Sequence, residues 1–148
     1  MFALVGVGGI GKSVIMVQLC RRSADEEEGA IPVLAHHFFR HDDADRRRLQ
    51  QALFSIANQI ADNIPAYYEA LATICEQADD VKGWDLNTLF SRLLVEPWPN
   101  IKIKHSNAVV VLDALDECTP ADRPTLLQLV ANRWAAEMPS WLRLRLRL

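Results

Sequence analysis

The sequence predicts an α/β fold, a three-layer sandwich in which a mainly parallel sheet is flanked by helices. Apolar runs with strand character alternate along the chain with segments whose apolar residues recur at helical spacing. The run at residues 108–112 is continuously apolar and rich in valine, which is typical of a parallel strand covered on both faces. The 148 residues suffice for one domain with a substantial core, so residues 1–148 are interpreted as a single domain.

The individual elements are predicted from apolar patterning and from helix-capping residues. Strands are predicted at residues 2–5, 31–39, 108–112 and from 141 onward. Helices are predicted with apolar faces at residues 12–22, 49–64, 65–77, 86–94 and 124–134. Asp45, Asp85 and Asp122 stand before three of these helices and are assigned as their N-caps.

Composition and charge exclude several classes of protein. Half of the residues are hydrophobic and 24% are charged, which is typical of a globular protein. A net charge of -3 offers no basic surface for nucleic acid. The three cysteines are widely spaced and form no disulfide or zinc pattern. Without a signal peptide or an apolar run of transmembrane length, we expect a cytoplasmic protein that binds neither nucleic acid nor membrane.

The strongest motif is GVGGIGKS at residues 6–13, which matches the Walker A pattern GxxxxGK[ST] at every fixed position. It follows a predicted strand and opens a predicted helix, so main-chain N–H groups and the helix N-terminus would point at phosphate oxygens. Lys12 is expected to reach the β- and γ-phosphates and the Ser13 hydroxyl to ligate Mg²⁺. The alternative, a glycine-rich turn that binds nothing, is disfavoured by this setting. The predicted nucleotide-binding residues are Gly6, Gly8, Gly9, Ile10, Gly11, Lys12, Ser13 and Val14.

Three acids follow the apolar strand in VVVLDALDEC, whose residues 109–117 have the character of a Walker B motif. Asp113 is expected to emerge at the carboxyl end of the strand, where open α/β sheets bind ligands, and to hold the hydration shell of Mg²⁺. Glu117 or Asp116 is expected to accept a proton from an attacking water. Glu117 is favoured because its side chain is longer. The alternative is that both acids only cap and solvate the loop.

With both motifs in place, the chain resembles the NACHT domain of STAND-class P-loop NTPases. The likeness rests on GVGGIGKS, on LDALDEC, on the order of helices between them, and on the segments AHHFF and LLVEPW. It spans residues 2–144. The resemblance implies a P-loop NTPase sheet, ATP or ADP as the ligand, and a signalling switch that often oligomerises. By this resemblance the functional residues are Gly11, Lys12 and Ser13 for phosphate and Mg²⁺, Asp113 for the metal shell, and Glu117 or Asp116 for hydrolysis.

The chain also departs from the NACHT pattern. Such a module extends upstream towards the base and downstream into a sensor arginine and closing subdomains, so we expect a core truncated at both ends. In the family's strand order the closing strand lies between the strands of the two motifs. Arg143, Arg145 and Arg147 alternate with leucines there, whereas a central parallel strand is usually apolar on both faces. We expect either one open face or a tail that is not the native continuation.

The expected function is the ATP- or NTP-binding core of a NACHT-type signal-transduction switch, with slow Mg²⁺-dependent hydrolysis. The base-reading residues are not identified, so GTP is an alternative to ATP or ADP. The expected partners are the nucleotide and proteins bound through flanking domains, self-association included. One alternative is a non-catalytic fragment that acts only through protein association. Another is a different P-loop NTPase or a kinase.

Overall fold

The computed structural model describes residues 2–4, 31–102 and 107–147, with side chains described for 31–102 and 107–146. Its strands form one parallel sheet in the order β1-β4-β3-β2. They are β1 (Phe2–Leu4), β2 (Val33–Phe38), β3 (Ala108–Asp113) and β4 (Leu142–Arg147). The predicted α/β class, with a parallel sheet flanked by helices, is confirmed, and the closing strand lies between β1 and β3.

Among the described residues, helices occupy the segments between β2 and β3 and between β3 and β4. The sequence-predicted helix at residues 12–22 lies outside the described residues. None of the described helices combines the length and hydropathy needed to cross a lipid bilayer. The helices are α1 (Leu49–Asn63), α2 (Pro65–Glu76), α3 (Leu86–Leu89), α4 (Arg123–Gln128) and α5 (Trp134–Glu137), with π-helical segments at Phe90–Val95 and Leu129–Arg133 and 3₁₀ turns at Val81–Gly83 and Leu115–Glu117.

One face of the sheet packs against these helices and carries the main core. Alternate residues of a strand point to opposite faces, so Val110 and Leu112 of β3 lie on the helix side. They belong to the same buried cluster as Ile56 of α1, Phe90 of the first π-helical segment and Trp134 of α5. This packing anchors β3 and brings its carboxyl end to a defined place.

The other face of β3 is buried as well. All six residues of β3 are buried, and Val109 and Val111 form a second cluster with Val33 and Phe38 of β2. This is the burial that the valine-rich run predicts for a central parallel strand.

The arginines of β4 also lie on this second face of the sheet. Arg143 stands in register with Val109, and Arg145 with Val111. Arg143 is exposed and Arg145 is half-buried, whereas the leucines of β4 fill the helix side. The strand can therefore take its central position without burying the Arg143 guanidinium, which would be costly.

The exposed edge of β2 is closed by side chains of α1. The Gln59 amide oxygen accepts the His36 N–H at 3.1 Å, and its nitrogen donates to the His36 carbonyl at 2.9 Å. Asn63 Nδ2 donates to the Leu34 carbonyl at 3.3 Å. These contacts take the place of a neighbouring strand, because an edge strand otherwise presents unpaired main-chain groups.

The capping residues agree only in part with the sequence-based expectation. The Asp85 carboxylate accepts the N–H groups of Asn87 and Thr88, as predicted for an N-cap of α3. The assignment of Asp45 was wrong, because α1 begins at Leu49 and residues 44–47 form a turn before it. The Leu49 N–H is instead accepted by Asp122 Oδ2 at 3.0 Å, so the Asp122 side chain caps α1 and not its own helix.

Candidate functional site

The carboxyl ends of all four described strands meet at one edge of the sheet, because every pair is parallel. β4 separates β1 from β3, and neighbouring strands lie about 4.8 Å apart, so the ends of β1 and β3 are about 10 Å from each other. The carboxyl end of β1, at Leu4, therefore lies near that of β3, at Asp113. The loops after β2 and β3 are direct neighbours at this edge.

Asp113 ends β3 and is almost completely buried, with 2% of its surface exposed. Its main-chain carbonyl accepts the N–H of Phe39 at 3.0 Å, which continues the pairing with β2. Its Oδ1 accepts the N–H of Ala114 at 2.7 Å. Asp113 therefore lies at the carboxyl edge of the sheet, where open α/β folds bind their ligands.

The chain turns sharply after Asp113. Ala114 has a φ of 55° and a ψ of 48°, the only non-glycine residue with positive φ among those described. A left-handed conformation costs an alanine about 1–2 kcal/mol, and such strain clusters at functional sites. The turn leads into the 3₁₀ turn Leu115–Glu117, which the buried Leu115 anchors. The two remaining acids thus leave the sheet beside Asp113 and do not continue the strand.

Glu117 is held by His41 of the neighbouring loop. Its Oε2 accepts the His41 main-chain N–H at 3.0 Å and lies 2.9 Å from His41 Nδ1. The main-chain bond and then the ring contact hold the pKa of the Glu117 carboxyl below its ordinary value of 4.5. Glu117 is therefore ionised at neutral pH, as a proton acceptor must be.

Asp116 is placed differently from Glu117. It is exposed, and its carboxylate accepts no hydrogen bond from the part of the chain that the structure describes. Its main-chain carbonyl accepts Arg123 Nη2 at 2.7 Å, so the backbone is held while the side chain is solvated. Of the two acids proposed for the water, Glu117 is the one with a defined orientation.

Cys118 follows the acids directly but lacks the character of a nucleophile. It is buried, with 1% of its surface exposed. Burial, followed by the charge of Asp122, raises the pKa of the Cys118 thiol to about 11. A protonated thiol is a poor nucleophile at neutral pH, so Cys118 acts as a packing residue beneath the loop.

The loops after β2 and β3 are tied together at further points beyond the acids. The Thr119 N–H donates to the Arg47 carbonyl at 2.9 Å. Asp122 then reaches the start of α1, as described above. The loop that carries Glu117 and the loop that carries His41 therefore form one connected structure at the carboxyl edge.

Residues 1–147 match a family model described as Nephrocystin 3, N-terminal. The chain belongs to the Nephrocystin 3 N-terminal family. No curated protein and no solved structure matches it. The family match extends over the glycine loop, over Asp113 and over Glu117, so both motifs fall within the matched region.

In this Nephrocystin 3 N-terminal chain, only part of the predicted site lies among the described residues. Asp113, Asp116 and Glu117 lie together at the carboxyl end of β3, as the sequence predicts. The glycine-loop residues lie outside the described residues, so their predicted roles stay predictions: Gly6, Gly8, Gly9, Ile10, Gly11, Lys12, Ser13 and Val14.

The oxygen donors at this edge suit Mg²⁺ when it is bound with a nucleotide. Mg²⁺ binds oxygen ligands and is usually held by one or two carboxylates together with substrate phosphates and water. Asp113 supplies one buried carboxylate at the carboxyl edge of the sheet. The described residues contain no group of three or more His, Cys, Asp or Glu able to hold a metal alone. A metal here would therefore need oxygen ligands in addition to Asp113.

From the sequence, His41 follows the second strand and could lie near a nucleotide, but a solvated loop is the favoured interpretation; its contact with Glu117 was not predicted. It lies 76 positions from Glu117 in the sequence. Its contact depends on β2 lying beside β3, which brings the two following loops together. The signal that could identify His41 is its position in the loop after β2, because β2 pairs with β3, the strand whose end carries the acids.

Proposed function

We propose that the chain is the nucleotide-binding core of a NACHT-type switch, which binds ATP or ADP with Mg²⁺ and hydrolyses the triphosphate slowly. The proposal combines the sequence resemblance with the geometry of the carboxyl edge of the sheet. The family match by itself does not specify a NACHT domain, so the NACHT assignment depends on the sequence resemblance.

The observation that carries the proposal is the buried carboxylate of Asp113 at the end of a central parallel strand. Its strand is separated from β1 by β4 alone. The sequence after β1 reads GVGGIGKS, the pattern that binds phosphates when it follows a strand and opens a helix. A phosphate-binding loop and a metal-binding acid are thereby expected about 10 Å apart, across one strand.

The proposed roles follow from the chemistry of phosphoryl transfer, in which catalysis is mostly positioning and stabilisation of charge. Lys12 and the main-chain N–H groups of the glycine loop bind the β- and γ-phosphates. Ser13 and Asp113 would hold Mg²⁺, which when bound would supply positive charge to the phosphate oxygens. Glu117 orients the attacking water and accepts its proton, in the ionised state that its contacts with His41 favour.

Single-turnover hydrolysis with the protein in excess over ATP tests these roles, with GTP measured in parallel. We expect Glu117→Gln to bind nucleotide like the wild type and to hydrolyse it at least about a hundredfold more slowly, because it lacks the proton acceptor. Asp113→Asn should weaken the dependence of binding on Mg²⁺.

Asp116→Asn is the matched control, since it removes a neighbouring carboxylate that is exposed and carries no described hydrogen bond. Its hydrolysis rate should stay within about twofold of the wild type, because a solvated side chain without a defined orientation adds little to catalysis. A Glu117→Gln protein as fast as the wild type would contradict the assignment of the base. A slow Asp116→Asn protein would transfer that role to Asp116.

A further inference from the structure

His41 makes a contact that the proposed mechanism does not yet use. Its side chain is 80% exposed, so no packing requires its position. Nevertheless both its main-chain N–H and its Nδ1 lie within 3.0 Å of one oxygen, Oε2 of Glu117. The two contacts form a small ring of hydrogen bonds that fixes the carboxylate relative to the backbone of the neighbouring loop.

The two oxygens of Glu117 are thereby made different. An ionised carboxylate only accepts hydrogen bonds, so His41 Nδ1 must carry the hydrogen in this contact. Oε2 is engaged by both donors, whereas Oε1 accepts no hydrogen bond from the residues that the structure describes. Oε1 is therefore the oxygen with lone pairs available to a water molecule.

The position of His41 is itself well determined by the main chain. Phe38 pairs with Asp113, and the Phe39 N–H donates to the Asp113 carbonyl, so β2 stays paired with β3 up to the site. Arg40, directly before His41, forms an ion pair with Asp42 at 2.7 Å. His41 thus lies in a short loop that begins with the main-chain bond of Phe39 to Asp113 and contains the Arg40–Asp42 ion pair.

We propose that His41 is a positioning residue for Glu117: it holds Oε2 so that Oε1 is directed to the water that attacks the γ-phosphate. This inference rests on the proposed function, in which Glu117 is the proton acceptor. His41 touches neither the nucleotide nor the water in this account, and it acts only through Glu117.

Removal of the contact between His41 Nδ1 and Glu117 Oε2 should slow hydrolysis without disturbing the fold. Substitutions of exposed side chains usually change stability by less than about 0.5 kcal/mol, so His41→Ala should unfold at nearly the same urea concentration as the wild type. The main-chain N–H of residue 41 still reaches Oε2 in that variant. We therefore expect single-turnover ATP hydrolysis to slow only about five- to tenfold, with nucleotide affinity unchanged.

His41→Asn is the conservative partner of this variant. Its side-chain NH₂ can occupy the place of Nδ1 and donate to Oε2, so it should restore most of the lost rate. A general loosening of the loop would not be rescued in this way, because asparagine fills much less space than histidine.

A double-mutant cycle decides whether His41 acts through Glu117. In a Glu117→Gln background, His41→Ala should cause no further loss of rate, since the group that it positions is already absent. A His41→Ala rate equal to the wild type, with Glu117→Gln slow, would overturn the inference and leave the proposed function intact. Equal further losses in both backgrounds would also overturn it. Failure of the wild type to bind nucleotide would instead remove the proposed function, and this inference with it.

Discussion

At the scale of single residues, Asp113 and Glu117 leave the same strand end but differ in their surroundings, because Asp113 is almost completely buried whereas Glu117 is held by His41. Asp113 and Glu117 follow directly from a buried apolar run, a local pattern that needs no knowledge of the fold. The position of His41 after the second strand was evident in the sequence, but its contact with Glu117 could be recognised only once β2 was known to lie beside β3. The left-handed turn at Ala114 also had no signal in the sequence, because alanine has no preference for positive φ.

His37 provides a pH-dependent contribution to stability. It is buried, its Nε2 lies 3.0 Å from the Arg46 carbonyl, and burial, as the largest effect, holds its pKa below the ordinary value of 6.5. Above pH 6.5 the ring is neutral in both states, and the stability is fully present. As the pH falls below this value, the unfolded chain takes up a proton before the folded chain does, so stability is lost.

His37→Gln should therefore flatten the decline of the free energy of unfolding on the acid side of neutrality. Glutamine can still donate a hydrogen bond to the Arg46 carbonyl, but it does not titrate. Urea unfolding measured at a series of pH values checks this expectation. The same slope in wild type and variant would show that His37 is not the group responsible.

Tyr67 and Tyr68 are adjacent and provide a comparison of a buried and an exposed hydroxyl. The Tyr67 hydroxyl donates to the Leu93 carbonyl, and the side chain is fully buried, whereas Tyr68 is 61% exposed. Tyr67→Phe should lower the free energy of unfolding by about 1–2 kcal/mol, because it leaves a buried carbonyl without its donor. Tyr68→Phe should change it by less than about 0.5 kcal/mol. Equal effects in urea unfolding would contradict this account of α2 packing.

At the scale of elements, type and order were predictable, whereas some boundaries were not. The apolar stripe of α1 and the valine-rich run of β3 are strong periodic signals, and both elements lie where predicted. Asp45 was wrongly assigned as the cap of α1 because it has the character of a local N-cap. The group that caps this helix comes from Asp122, 73 positions away in the sequence, and no local rule anticipates such a contact.

The cap supplied by Asp122 can be tested by comparing two substitutions. Asp122→Ala removes the acceptor for the Leu49 N–H and should destabilise the chain by about 1 kcal/mol, as loss of an N-cap usually does. Asp122→Asn keeps an acceptor oxygen and should lose only a small part of this. The measurement is the urea midpoint at unchanged slope. If the alanine and asparagine variants are equally stable, the hydrogen bond to α1 is not the source of the effect.

At the scale of the whole molecule, the strand order brings the carboxyl ends of β1 and β3 to one edge of the sheet. The order β1-β4-β3-β2 agrees with what the resemblance implied for the closing strand, although its alternating arginines had argued against a central position. The leucines on the helix side and the exposed Arg143 explain how the strand fits. Sequence periodicity shows that one face of a strand is polar, but it does not show whether other parts of the protein cover that face.

The central claim is that this sheet edge binds a nucleotide through the glycine loop, and calorimetric titration with ATP in the presence and absence of Mg²⁺ tests it most directly. The account predicts Mg²⁺-dependent binding by the wild type and by Lys82→Ala, a control at an exposed lysine remote in sequence from both motifs. Lys12→Ala should bind about ten- to a hundredfold more weakly, because it loses a charged donor to phosphate. Equal affinities for the wild type and Lys12→Ala, or no binding by either, would contradict the account.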